Sequence, residues 1–301
     1  MSTSKQPAAS GRGSLGSVSL GRKVKDRTVQ GLVYLAFLLA LVPLVSVLWT
    51  VLKNGLGRFD ATFFQFSMNG VAGKDAGGGA YHAIVGTLEQ VAISTVIAVP
   101  IAVLTAVYLV EYGAGGRLAR VISFFVDVMT GIPSIVAGLF VLALWLLALQ
   151  FSFSGFAGAL ALTILMIPTV VRATEEMLKL VPNDLREASY ALGVPRWRTI
   201  CFVVLPTALP GILTGVMLAV ARVMGETAPL LLTIFVTKAI NTNPFAGPQA
   251  SLPTFIWDQA ADPNQNSIDR AWAGALVLIL IIMLLNLAAR LVARRFKPAG
   301  R

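Results

Sequence analysis

Apolar positions along the chain come in long runs. A bilayer crossing needs about 20 predominantly apolar residues, and six runs are candidates: 31–52, 82–110, 118–148, 155–171, 207–237 and 271–293. The second, third and fifth are long enough to tilt, break or protrude, and the fourth is short. The pattern predicts an all-α, polytopic membrane protein with six transmembrane helices. Residues 1–30 are polar, basic and rich in Gly and Ser, which reads as a disordered tail ahead of a transmembrane domain at 31–301. "GRGSLG" at 11–16 matches G-x-G-x-x-G letter for letter. No strand pattern precedes it and no helix pattern follows directly, so it is not a dinucleotide site. A full-length span follows the tail where a signal peptide would have a short apolar stretch and a cleavage site, so the first span is expected to be an uncleaved anchor.

Composition sharpens this picture. The 301 residues are 56% hydrophobic and 13% charged, with a mean hydropathy of +0.78, against roughly 25% charged in a soluble domain. One cysteine, Cys201, excludes an internal disulfide framework and a multi-cysteine metal site. One histidine, His82, leaves no His-based metal cluster and no Ser/His/Asp triad. The net charge of +10 would suggest nucleic acid in a soluble protein, but its placement follows the positive-inside rule. With the N-terminus inside, 18 of the 24 Lys and Arg fall on cytoplasmic segments. The outer segments hold five basic residues and five acids, and Arg222 remains in the membrane. Both termini are then cytoplasmic. The outer loops 53–81 and 238–270 are the longest connections on their face, rich in turn residues and long enough for a docking surface. Trp49, Trp145, Trp257 and Trp272 fall near span ends as an aromatic belt would have them, whereas Trp197 lies in the large cytoplasmic loop.

That loop spans about 173–206 and contains "EEMLKLVPNDLREASYALGVPRWRTICFVVLP" at 175–206. Pro182 ends the helix emerging from the fourth span. Asp184 and Glu187 are spaced as a capping box for a short helix with Leu185, Ala188, Ala191 and Leu192 on its apolar face. Gly193 suits the C-terminal cap, and Pro195 suits the first turn of the next helix. Two short helices meeting at a sharp glycine turn should project from the membrane. An amphipathic helix lying on lipid headgroups fits the periodicity equally well. "EASYALG" at 187–193 followed by "VVLP" at 203–206 resembles the EAA loop of ABC-importer permeases, with Ser189 and Val203 as mild departures. The resemblance implies that Glu187, Ala188, Gly193 and their neighbours Tyr190, Leu192 and Arg196 dock on an ATP-binding subunit and transmit its motion. The chain has no G-x-x-x-x-G-K-[ST] phosphate cradle, "GVAGKD" at 70–75 lacking both the length and the hydroxyl. It is therefore expected to hydrolyse no ATP itself and to bind no cofactor or metal, ATP being used by the partner.

The stretch "ARVMGETAPLL" at 221–231 sets Arg222 and Glu226 inside an apolar run. A charge at that depth costs at least about 2.5–3.5 kcal/mol on insertion scales. In a continuous helix the two are i, i+4 and share a face. Pro229 crowds the carbonyl of Gly225, so the helix is expected to kink or unwind there. A second interruption, "GIPSIVAG" at 131–138, offers Pro133 as a breaker and Ser134 as a polar group. Interrupted helices are where transporters place substrate sites. Arg222, with Glu226, Thr227 and Ser134, is thus a candidate anion path, a guanidinium giving an oxyanion two parallel hydrogen bonds. A structural ion pair that locks two helices is the other reading. Glu89 and Asp127 could line the path, but acids repel an anion, so they are expected to serve helix–helix hydrogen bonding or to be neutral and protonated.

"ARVMGETAPLL", "GIPSIVAGLF" and "GGGAYHAIVGTL" (77–88) together resemble the membrane subunits of Pst-type phosphate importers, and "GETAPLLLT" is closer to the PstA type than to its PstC-type partner. The resemblance runs from about residue 31 onward. It implies two ATP-binding subunits below, a homologous second permease beside, a phosphate-binding protein outside, and a bacterial or archaeal plasma membrane around the chain. Permeases for sulfate or molybdate, an ion-coupled carrier using Glu89 and Asp127, and a membrane sensor or scaffold are the alternatives.

Overall fold

The computed structural model describes residues 20–295 apart from Ala114, and residues 1–19 of the predicted tail lie outside the described residues. All regular elements among the described residues are helices. The chain divides into two compact units at Thr50/Val51. The first consists of α1 (Leu20–Gly55) as far as Thr50. The helix starts eleven residues before the expected span, so residues 20–30 are helical where a disordered tail was expected.

The second unit holds everything that follows. A single turn at Leu56–Arg58 and the short α2 (Ala61–Gln65) lead into α3 (Tyr81–Val107), which ends in a π-helical turn, Tyr108–Tyr112. The third apolar run forms two helices, α4 (Arg117–Gly131) and α5 (Ser134–Val141), the latter continued by a π-helical stretch to Ala148. The pair is bent by 106°. Pro133 cannot donate and disfavours helical geometry in the residue before it, and Ile132 is accordingly extended at φ −71°, ψ 129°. The fourth run is not short. Ser154 caps α6 (Gly155–Lys179) by accepting from Ala157 N–H, and the helix runs eight residues past the expected end at 171. After α7 (Asn183–Ala191) and α8 (Arg196–Thr199), a π-helical turn at Ile200–Val204 passes into α9 (Leu205–Met224). The short α10 (Ala228–Thr233), α11 (Leu252–Ala261) and the long α12 (Gln265–Arg295) complete the chain. Among the described residues five helices are long and apolar enough to cross a membrane, and the bent α4–α5 pair makes six if it counts as one span.

The main core lies between α3, α6 and α9. Ala98, Ala102 and Ala106 recur at four-residue steps on α3 and are fully buried. Small residues let helices approach closely where lipid supplies no hydrophobic drive. The same device joins α9 to α6, where a Cβ added to Gly215 would lie 2.5 Å from Ala173 Cβ. A second core gathers Phe63, Met68, Leu252 and Phe255, with buried His82 edge-on to the Phe255 ring at 5.8 Å. Arg270, fully buried, braces the loop beneath them by donating to the carbonyls of Gly73, Asp75 and Gly77 and to Gln259 Oε1.

Candidate functional site

Both expected helix breaks are present, and the fold brings them together. α9 stops at Met224, Gly225 caps it at φ −90°, ψ 0°, and α10 restarts after Thr227 with Pro229 in its first turn. Proline is tolerated there because first-turn N–H groups have no intrahelical partner anyway. The second break opens α5, whose first residue is Ser134 and whose N-cap is Pro133. α5 and α10 touch so closely that a Cβ on Gly138 would lie 2.6 Å from Pro229 Cα. Two interrupted helices therefore abut through a glycine and a proline. Buried Gly158 of α6 closes the other side against Leu230 and Ile234.

The charges differ from expectation. Arg222 is exposed in the chain taken alone, and Glu226 is half-buried. No hydrogen bond or ion pair joins them, and the bonds recorded at the break are backbone ones, Gly225 N–H to Arg222 C=O and Glu226 N–H to Val223 C=O. The i, i+4 geometry requires continuous helix, and α9 ends two residues before Glu226. Ser134 and Thr227 are both half-buried, and Thr227 borders an open cleft with Trp257 and Ile256 of α11.

The two remaining membrane acids do hydrogen-bond between elements. Glu89 accepts from Gln249 Nε2 at 2.6 Å, and Gln249 Oε1 accepts from buried Gln90 at 2.8 Å. The segment before α11 thus folds back onto α3, fitted against Gly86, where a Cβ would meet the Ala250 carbonyl at 2.0 Å. Asp127 on α4 pairs with Arg172 on α6 at 2.5 Å, and Arg172 also binds Glu175 and Ser123 Oγ. Arg172 lies one residue past the expected end of the fourth span at 171, inside the longer α6. Its i, i+3 spacing to Glu175 and the latter's i, i+4 spacing to Lys179 were the available signal.

The loop between α6 and α9 is a helix–turn–helix. α7 begins at Asn183 after Pro182 with no side-chain cap, so Asp184 stands in the first turn and the expected capping box with Glu187 does not form. Gly193 turns the chain at φ +76° with its N–H on the Tyr190 carbonyl, a left-handed conformation that favours glycine. Pro195 is the N-cap of α8, and buried Ser189 and Thr199 hydroxyls bond at 2.8 Å to tie the two helices. Glu187, Ala188, Tyr190, Leu192, Gly193 and Arg196 are all exposed, Leu192 at 83%. The short helix thus leaves Leu185, Tyr190 and Leu192 outward. Sequence reasoning missed what holds it: buried Glu111, at the end of α3, pairs with Arg186 of α7 at 2.8 Å.

An all-α bundle with apposed broken helices and a projecting helical hairpin defines a multi-pass membrane permease. The model of the family "Binding-protein-dependent transport system inner membrane component" matches residues 98–299. The chain is 48% identical over 276 residues to the Phosphate transport system permease protein PstA 1 of Mycobacterium tuberculosis (strain H37Rv), covering 91% of this chain and 89% of that one. It is 46% identical to PstA of Mycobacterium leprae, with 92% of each chain covered, and 41% identical to PstA of Pasteurella multocida, with 90% of this chain and 95% of that one covered. Among solved structures the fold is similar to a bacterial alginate ABC transporter in complex with its pentasaccharide-bound periplasmic protein (TM-score 0.62, 15% identity, 92% and 99% covered). It is also similar to the inward-facing MetNI methionine ABC transporter (TM-score 0.58, 22% identity, 70% and 93% covered). The chain belongs to the family of inner-membrane components of binding-protein-dependent transport systems, among its PstA-type members. Membership implies an ATPase and a substrate-binding protein as partners.

Proposed function

We propose that this chain is the permease subunit of an ATP-driven phosphate importer and forms half of the translocation path. The observation that carries the reading is the pair of interrupted helices that abut where Gly138 of α5 meets Pro229 of α10, with Arg222 exposed one turn before the break that follows α9. Similarity to permeases named for phosphate transport supports the substrate. Exposure of Arg222 in the single chain suits a residue that faces a path completed by a second subunit, since an arginine left unpaired in lipid is costly. The path residues are Arg222, Glu226, Thr227 and Ser134. Glu226, separated from Arg222 by the break, is free to approach and compete with the anion when the helix ends move.

Two ATP-binding subunits dock from the cytoplasm on Glu187, Ala188, Tyr190, Leu192, Gly193 and Arg196. A homologous permease stands alongside, and a phosphate-binding protein docks outside on loops 53–81 and 238–270. The chain has no ATPase site of its own, binds no cofactor, and lies in a bacterial or archaeal plasma membrane with both termini cytoplasmic, as the distribution of Lys and Arg supports. ATP-driven closure of the ATPases moves the hairpin and reorients the spans, and Arg222 meets phosphate in transit.

The test is ATP-dependent uptake of labelled phosphate in a strain lacking the chain, complemented with wild type or Arg222→Ala at matched membrane abundance. Sulfate and molybdate serve as competitors. Uptake that returns with wild type and falls at least about tenfold with Arg222→Ala is expected, the loss of one charge-assisted contact. Full uptake with Arg222→Ala removes the arginine from the path, and inhibition by sulfate or molybdate at equal concentration reassigns the substrate.

A further inference from the structure

The cytoplasmic ends of three helices meet at one guanidinium. Arg186, on α7, donates to Glu111 Oε1 from Nε at 3.2 Å and Nη2 at 2.8 Å. It also donates to the carbonyls of Leu178 at 2.9 Å and Val181 at 2.6 Å. Leu178 belongs to the last turn of α6, where carbonyls lack intrahelical partners and carry the negative end of the helix dipole. Glu111 is 4% exposed and belongs to the π-helical turn that ends α3. Arg196, on α8, donates to the Glu111 carbonyl and lies over the Tyr112 ring at 5.1 Å. One acidic residue of α3 thus receives both helices of the hairpin.

Little else of the hairpin is buried against the bundle. Its apolar residues Leu185, Tyr190 and Leu192 are exposed, and α7 is bounded by Pro182 and by the left-handed turn at Gly193. The chain itself links the hairpin to α6 and α9, while two charge-assisted contacts tie it to the end of α3: the Glu111–Arg186 ion pair and the Arg196 guanidinium on the Glu111 carbonyl. π-helical turns stand at both exits, Tyr108–Tyr112 on α3 and Ile200–Val204 before α9. Such turns are rare and recur at functional sites.

We propose that Glu111 and Arg186 form the clamp that carries motion of the cytoplasmic hairpin into α3, so that an ATP-driven push turns the α3–α6–α9 core as a body. The proposal rests on the permease reading above. Both are positioning residues that touch neither ATP nor the transported anion. With the clamp cut, the hairpin still presents its exposed face to the ATPase but keeps just the Arg196 contact with the end of α3, and much of the push is absorbed locally.

The experiment uses the complete transporter in proteoliposomes, with phosphate uptake and ATP hydrolysis measured on the same preparation. Glu111→Gln keeps side-chain size and removes the charge. It is expected to co-purify with the ATPase at the wild-type ratio and to hydrolyse ATP, while phosphate moved per ATP falls at least about fivefold, the lower end of typical coupling effects. Glu111→Asp, which restores the charge, should recover most of that ratio, as a packing role alone would not. An unchanged ratio in Glu111→Gln overturns the clamp, as does loss of ATPase co-purification, which would make the pair a docking element. Failure of the wild-type complex to move phosphate on ATP refutes the permease reading instead, so the two failures are distinguishable.

Discussion

Gly138→Ala tests the close contact between α5 and α10. A methyl on Gly138 would lie 2.6 Å from Pro229 Cα and 3.1 Å from its carbonyl oxygen. Ordinary carbon–carbon contact is about 3.5–4.0 Å, so α5 and α10 must part by roughly 1 Å. The obstacle is backbone, fixed by a proline ring, and no rotamer change relieves it. Overpacking of this kind costs about 1–3 kcal/mol, and a backbone obstacle argues for the upper end. Against that stands a gain of about 1 kcal/mol from replacing glycine by alanine inside a helix. The net expectation is destabilisation by about 2 kcal/mol, with lowered uptake as the Gly225–Thr227 break moves away from α5. Gly131→Ala is the control, because nothing lies within 4 Å of its added Cβ. Melting temperatures of the purified transporter and phosphate uptake read the two together. The reasoning is refuted if Gly138→Ala melts with or above Gly131→Ala, since α5 and α10 would then have slack that the structure denies.

Two further outcomes are expected. Gly193 has open space around it but φ +76°, so strain alone decides its substitutions: Gly193→Val should cost more than about 1–2 kcal/mol locally and reduce ATPase co-purification, while Gly193→Asn, which tolerates that conformation, should do so far less. Arg270→Ala leaves the carbonyls of Gly73, Asp75 and Gly77 without their buried donor, each worth about 1–3 kcal/mol. Limited proteolysis from the outer face should then cut within 68–79 much faster than in wild type, and equal rates would show that the loop is held by other contacts.

The sequence by itself determined the membrane character, the helical class and the helix–turn–helix at 183–199, because lipid leaves backbone groups no partners but their own and Gly193 and Pro195 punctuate the chain locally. It also located both breaks, since Pro133 and Pro229 act on neighbours within four residues. Proline alone did not decide them: Pro100, Pro168 and Pro210 stay inside helices. Tertiary packing decided which helices continue, and so fixed span limits such as the extension of α6 to Lys179. It also separated Arg222 from Glu226, because an i, i+4 pair exists only if the helix reaches the second residue. The partners of Glu89, Asp127 and Glu111 were likewise invisible in the sequence. Gln249 is 160 residues from Glu89, Arg172 is 45 from Asp127 and Arg186 is 75 from Glu111, and periodicity carries no information across such separations. What joins them is the packing of elements far apart in the chain, which exists only once the helices have assembled.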